Sequence, residues 1–520
     1  MAQTILSVVF EVQPHSTSLL RDRIVALRQA EEASDPKYDH LAQAVPDLHF
    51  MSMTVAPDDQ YDPAFVLEAN FDGPPGPFWA QLEAAVGPAL RDMLRFMKSP
   101  RNGAGPLFDA VTAPGSRLPI APLLEAMTVR PAVFHQGNRG LDRQRIEREA
   151  LLFLAARDLA DDPKWRALSA GAIHQGLRSD LLARFPWLTE APPARIPAGE
   201  AAMDLARLIG FAWFALLVLA VPALVLASLF HSALLFPLLI LTGIYFLVAI
   251  LDLNTPTGRA SKTTWLAGIA ACLALAANLR DAVSPVVDWR MPAFAGHPWL
   301  WILWLKIAAL IGAAASALGL MLWLRQLERG DPAQDDPPQD LEELARIARS
   351  EDNTVQNHMI SLVHIKPGLL RAVVIRAGLW GLGLLLRVTA HNGYLASMRT
   401  IHFAHWGLVS DGGRLMFHSN FDGSWESYLD DFIEKANVGL TLAWTNGVGF
   451  PTTRFLILDG ATQGRKFKAW ARHSMAESPF WFSAYKGLTV NQIERQARLT
   501  EGLRRPTLSD KEAATWALDL

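Results

Sequence analysis

The sequence predicts two α+β units with antiparallel sheets, joined by a block of transmembrane helices. Three observations predict it. Apolar runs almost free of charge crowd residues 208–324, the elements on either side read β-α-β-β-α-β, and the two flanking regions share a residue pattern. A chain of 520 residues has room for two or three domains.

Composition agrees with a part-soluble, part-membrane chain: 51% of residues are hydrophobic and 19% are charged. The formal net charge of −3 leaves no basic footprint, so a nucleic-acid partner is not expected. Cys272, the single cysteine, lies in an apolar run. It excludes an intramolecular disulfide and a cysteine-built zinc site. The N-terminus carries no basic stretch followed by a cleavage site, and no signal peptide is expected.

The elements follow in order. Residues 4–12 are β-rich, a helix follows, and 48–55 and 64–71 read as strands. A helix over 77–97 and a strand over 131–137 complete the first unit. In the second, 358–365 is a strand, 368–388 a helix, and 400–409 with 414–421 a hairpin around Ser410-Asp411-Gly412-Gly413. A helix over 425–444 and a strand over 453–460 follow. This order is the ferredoxin-like unit. Shared residues point to internal duplication: Leu48-His49-Phe50 matches Ile401-His402-Phe403, and Asn70-Phe71-Asp72-Gly73 matches Asn420-Phe421-Asp422-Gly423. Two such sheets in one chain can cover each other's open face, so a pseudo-dimeric α+β barrel is expected.

Between the copies, transmembrane spans are expected near 208–230, 233–251, 263–282 and 299–324, within a block at 205–325. Copy one occupies 1–200, a linker with a short helix 326–352, and copy two 353–520. With four spans, Arg207, Arg259, Lys262, Arg325 and Arg329 fall on one side. That predicts a multi-pass protein of the inner or plasma membrane with both termini cytoplasmic. Lys306, inside the last span, either snorkels outward or pairs with Asp281. The helix at 368–388 is very apolar yet carries Arg371, Arg376 and Arg387. It reads either as a buried domain helix or as an interfacial helix with its arginines near lipid head groups.

Candidate chemistry is sparse. Asp72 and Asp422 each precede a glycine at a strand end and are expected to cap the helix that follows, with a general acid or cofactor-facing carboxylate as the alternative. His49 and His402 recur in both copies, which suits fold or barrel interface. His405 and His418 are particular to the second copy. Pairing Val409 with Arg414 sets them opposite each other on one sheet face, with Ser52 and Glu68 as their counterparts and His402 on the other face. His405, His418 and Asp422 are therefore the candidate catalytic residues, and the two histidines the candidate cofactor ligands. Two ligands without a third make no metal set, and no phosphate-binding, zincin or nucleophile-elbow motif is present.

Thr400-Ile401-His402-Phe403-Ala404 and Ser419-Asn420-Phe421-Asp422-Gly423-Ser424-Trp425 resemble the strand and turn of an uncharacterised bacterial membrane-protein family. More distantly, tandem ferredoxin-like units with a Phe-x-Asp-Gly-type turn are similar to dye-decolorising peroxidases. That resemblance implies a haem cofactor. Here Ser419-Asn420 stands where that family has a leading glycine, and no proximal histidine is matched. The expected function is a membrane-anchored binding or scaffolding protein whose paired module takes a hydrophobic ligand or protein partner. The alternative is a peroxidase-like oxidoreductase acting on a hydrophobic or lipid-derived substrate at the membrane face.

Overall fold

The structure is a computed structural model. It describes residues 3–229 and 298–520, apart from 35–36, 193, 333–340, 343–344, 346–348, 350, 352–354, 391–392 and 396–397. Side chains at 214, 216–229, 298–306 and 308–310 are outside this description.

The first half runs β1 (Gln3–Glu11), α1 (Thr17–Glu32), α2 (Asp39–Ala44), β2 (Leu48–Ala56), β3 (Ala64–Asp72), α3 (Pro75–Leu94), α4 (Gly105–Thr112), α5 (Ala121–Ala126), β4 (Thr128–Val129), β5 (Val133–Gln136), α6 (Arg143–Ala160) and α7 (Ala170–Leu182). Two long helices follow, α8 (Ala198–Leu229) and α9 (Pro298–Arg329). The second half runs β6 (Gln356–His364), α10 (Leu369–Thr389), β7 (Ile401–Val409), β8 (Arg414–Asp422), α11 (Trp425–Lys435), α12 (Asn437–Trp444), β9 (Thr453–Arg454), β10 (Leu458–Asp459), α13 (Gly464–His473), β11 (Met475–Ala476), β12 (Phe480–Ser483), α14 (Val490–Arg504) and α15 (Asp510–Trp516).

The fold is mixed α/β with antiparallel sheets, and it corrects the expected class in two ways. The first concerns the sheets. Their strand orders are β12-β2-β3-β1-β4 and β11-β6-β8-β7-β5. Each sheet takes its fifth strand from the other half: β5 pairs with β7, and β12 with β2. The halves are interlocked, not two closed units laid together. The cause is local. Each crossing strand follows a two-residue strand, β4 or β11, after which comes Pro131 or Pro479. Proline offers no N–H to continue a ladder, so the chain leaves one sheet and joins the other. The expected last strand at 453–460 belongs to neither sheet. It forms the small β9–β10 hairpin, because Phe455, Leu456 and Asp459 have φ of 54°, 68° and 61°, far from extended backbone.

The second correction concerns the membrane. The described residues do not form the expected four-helix transmembrane block. Among them one helix, α10, is long and apolar enough to cross a membrane, with a mean hydropathy of 1.8. By length and composition alone, this is weak evidence of membrane association. The expected spans at 233–251 and 263–282 lie outside the described residues. The apolar runs at 208–229 and 299–324 are parts of α8 and α9, two 32-residue helices that pack on each other. Their body ends are polar and locked to the folded body, at α10, the loop after β5 and the β9–β10 hairpin. Asp204 bonds Arg139 and Arg387, both at 2.9 Å, and Glu328 accepts from Thr453, Phe455 and Leu456. A hydropathy window measures avoidance of water, and it says nothing of such anchors.

β2, β3, β7 and β8 are buried along their whole length. One face of each sheet carries helices and the other meets the opposite sheet. In β3, Phe65, Leu67, Ala69 and Phe71 join the helix-side core with Leu20, Ile24 and Trp79. The alternate residues Val66, Glu68 and Asn70 point between the sheets, as a two-residue period requires. In β8, Leu415, Phe417 and Phe421 face helices, and Met416, His418 and Asn420 face inward. Polar residues at alternate positions thus line a protein interior and not a solvated surface.

Candidate functional site

The sealed layer between the sheets collects most of the candidate residues. The register sets Val409 opposite Arg414 and His405 opposite His418. The two imidazoles stack, with centroids 4.8 Å apart and planes 14° apart. His358 of β6 lies 5.9 Å from His418. From the facing sheet, Ser7 Oγ stands 2.9 Å from His405 Nε2. Asn420 ties the layer together. Its Oδ1 accepts from His358 Nδ1 at 3.1 Å and from Trp481 Nε1 at 2.9 Å, and its Nδ2 donates to Glu68 at 3.3 Å. Glu68 also accepts from Asn70 and from Ser52, the latter at 3.3 Å.

Burial governs the charges here. It lowers His358 to about 4 and His405 to about 3, the latter helped by His358. It holds His418 well below its ordinary value, with repulsion from both neighbours added. The same burial raises the Glu68 carboxyl to about 7, against hydrogen bonds from Asn70, Ser52 and Asn420 that pull it down. At neutral pH the layer holds three uncharged imidazoles and a carboxyl near its midpoint. Ser7→Ala should cost about 1 kcal/mol, because His405 Nε2 loses its partner. The fall in the thermal unfolding midpoint measures it, and an unchanged midpoint would show that the bond contributes nothing.

These residues do not fit a haem. Two axial histidines face one iron from opposite sides of a porphyrin plane. His405 and His418 instead stack face to face, and Ser7 already engages His405 Nε2. His358, His405, His418 and Glu68 do not converge as a ligand set either. Among the described residues, Asp58, Asp59 and His364 form the group whose ligand atoms lie within 4.8 Å of one another. A cation already serves that site: Arg414 Nη1 is 3.0 Å from Asp58, beside His364 Nε2 at 2.9 Å. Burial pushes Asp58 up, but hydrogen bonds from His364, Tyr61 and Gln60 outweigh it and hold the carboxyl below its usual range.

The shared motif builds a second feature, twice. His49 and His402 sit at matching β-bulges, where the register slips between Leu48 and Phe50 and between Ile401 and Phe403. A bulge inserts one residue and re-aims its side chain, so strand alternation does not fix the face of His402. Each histidine meets the aspartate of its own half: His49 Nε2 is 3.0 Å from Asp72, and His402 Nε2 is 2.8 Å from Asp422. Each also lies against the phenylalanine of the other half, His49 on Phe403 at 5.4 Å and His402 on Phe50 at 5.2 Å. Both aspartates hold helix N-termini, though not those of the helices that directly follow. Asp72 accepts from the Arg143 N–H at the start of α6, and Asp422 from the Val490 N–H at the start of α14, both at 2.8 Å. Gly73 and Gly423, at φ of 89° and 80°, make the turns after them.

Tyr485 separates the two dyads. Its hydroxyl is 2.9 Å from His49 Nδ1, and Asn138 occupies the matching place in the first half, donating to Glu494 at 2.9 Å. Sequence reasoning missed Tyr485, His358 and the charge state of Glu68. A signal existed for the first: Gly140-Leu141-Asp142 and Gly487-Leu488-Thr489 follow the two crossing strands and lead α6 and α14. Gln3 and Gln356 reinforce the match, donating to the carbonyls of Leu141 and Leu488 at 2.8 and 2.6 Å.

The remaining candidates fall elsewhere. Arg371 is buried and bonds Asp331 at 2.8 and 2.7 Å. Arg387 bonds Asp204 and Glu200, both at 2.9 Å. Arg376 donates to the Ala372 carbonyl at 3.2 Å. Lys306 lies among the undescribed side chains. The chain matches no known protein-family model, no curated protein and no solved structure at a significant level.

Proposed function

We propose that this chain is a non-catalytic binding or scaffolding protein that works against a lipid bilayer. The observation that carries this reading is the outward face of α8 and α9. α8 leaves the body at Asp204 and α9 returns to it at Glu328, so the two packed helices run antiparallel. Beyond those anchors, large apolar side chains face outward: Ile209 and Trp213 on α8, and Ile311, Leu318, Leu322 and Trp323 on α9. Trp213 is 62% exposed and Ile311 64%. An apolar surface of this kind on a folded protein marks a lipid or protein contact. Tryptophan at its margin suits the edge of a bilayer. A scaffold is favoured over an enzyme because His405, His418 and Asp422 are buried, away from any solvent-reached surface, with Asp422 and His405 Nε2 bonded within the protein.

Flotation tests the reading. The full chain, freed of detergent in the presence of phosphatidylcholine vesicles, should rise with the vesicles through a density gradient and stay with them in high salt. The combined Ile209→Glu, Leu318→Glu and Leu322→Glu variant should float several-fold less. A wild-type chain that remains soluble and monomeric at the bottom of the gradient would overturn the reading.

A further inference from the structure

A second lipid-contacting element lies outside the long helices. The segment Thr453–Asp459 is strained, apolar at its tip and rigidly held. Phe455 and Leu456 are consecutive non-glycine residues in the left-handed region, where each costs roughly 1–2 kcal/mol. Local preference therefore does not make this hairpin.

Glu328, near the end of α9, does. Its carboxylate accepts from the Phe455 N–H at 3.0 Å, from the Leu456 N–H at 2.8 Å and from Thr453 Oγ1 at 2.9 Å. Arg325, one turn earlier, donates to the Thr453 carbonyl at 2.8 Å. A buried acid and a half-buried base thus fix the turn to the body end of α9. The side chains so presented are Phe455, Ile457 and Leu458, all exposed, Leu458 at 45%.

Position decides what these residues meet. Met321 and Leu318 on α9 are exposed and lie seven and ten residues before Glu328, which puts them on the same side of the helix as the hairpin, about 10–15 Å along the axis at about 1.5 Å per residue. The apolar tip is therefore continuous with the outward face of the helix pair. Exposed arginines flank it: Arg329 at the end of α9, and Arg207 near the body end of α8, which is 57% exposed and 3.6 Å from Asp204, while Arg454 in the hairpin itself is bonded to Asp459. Apolar side chains ringed by arginine suit the boundary between acyl chains and anionic head groups.

We propose that the 453–459 hairpin is a membrane-docking element that seats Phe455, Ile457 and Leu458 in the head-group boundary of a bilayer containing anionic lipid. This rests on the reading of α8 and α9 as lipid-facing. It adds a contact made by the folded body, which fixes how closely the sheets approach the membrane.

Site-directed spin labelling tests it in the full chain with Cys272→Ser. Nitroxides are placed at Ile457→Cys, at Leu458→Cys as a second hairpin site, at Leu318→Cys on α9, and at Leu118→Cys as a control on the first half. The protein is reconstituted in vesicles of phosphatidylcholine and phosphatidylglycerol. Accessibility to oxygen is compared with accessibility to a water-soluble nickel chelate. The expected result is a several-fold oxygen preference at 457, 458 and 318, and a nickel preference at 118. Lipid exposure at 318 with water exposure at 457 and 458 would overturn the hairpin proposal and leave the helix reading standing. Water exposure at all of them would overturn both. Hairpin labels immobilised and shielded from both reagents would mean a protein partner, and would also overturn it.

Discussion

Asp422→Ala is expected to cost about 3–5 kcal/mol of stability, in the range seen when one partner of a buried polar pair is removed. The carboxylate serves two buried groups at once, His402 Nε2 at 2.8 Å and the Val490 N–H at 2.8 Å. Alanine leaves the Val490 N–H without a partner at the N-terminus of α14, where a negative charge also opposes the helix dipole, and leaves His402 Nε2 only the longer contact with Gln356 Nε2 at 3.3 Å. Asp422→Asn should cost clearly less, since its oxygen still accepts from Val490. Asp72→Ala should cost less than Asp422→Ala, since Asp72 accepts from the Arg143 N–H but its 3.0 Å approach to His49 Nε2 makes no hydrogen bond. Thermal unfolding of the three variants measures this. A loss below about 1 kcal/mol for Asp422→Ala would mean that these bonds hold little of the fold.

Glu68→Gln should stabilise the protein above neutral pH, by about 3 kcal/mol at full effect. The folded carboxyl keeps its proton up to about 7, against a model value of 4.5. Below pH 4.5 both states are protonated, and the group takes nothing from stability. Between 4.5 and about 7 the unfolded chain ionises while the folded one does not, so stability falls as pH rises. Above 7 the folded form must carry a buried carboxylate with no cation among its hydrogen-bond partners, and the loss is complete. Glutamine has the same shape. Its oxygen can accept from Asn70 and Asn420, and its amide can donate to Ser52. The wild-type melting temperature should therefore drop between pH 5 and 8 by more than that of Glu68→Gln. Parallel curves for the two proteins would show that Glu68 does not titrate in this way.

The parts of this architecture that follow local periodicity were legible in the sequence. The alternation in 64–71 and 414–421 marks strands, and the Gly412-Gly413 hairpin sets the His405–His418 register. Which sheet a strand joins is a different matter. Val133–Gln136 looks like any fourth strand, and only Pro131 hints that it has left its own sheet; Phe480–Ser483 is missed altogether, because the last strand of the second unit is expected at 453–460. Thr453–Arg454 and Leu458–Asp459 flank β-favouring residues that Glu328, over a hundred positions earlier, bends into a turn. The apolar runs at 208–229 and 299–324 stand out, yet hydropathy could not show that Asp204 pins α8 to Arg139 and Arg387 or that Glu328 pins α9 to the β9–β10 hairpin. At the candidate site the motif gave the aspartates but not their helices, since Arg143 and Val490 lie about seventy residues downstream. Glu68 is legible as the counterpart of His418, but only the opposing sheet makes it a buried acid.

The exchanged strands also set a timetable. As the chain leaves the ribosome, β2 emerges with its outer edge bare, and the strand that covers it, β12, lies more than four hundred residues further on. At ordinary synthesis rates that edge waits roughly 20–80 s for its partner. Throughout that interval the first half is an open template of the kind that pairs with foreign strands. The nascent protein is therefore most exposed to misassembly until Phe480–Ser483 is made, and a chain cut short before Phe480 carries that vulnerability permanently.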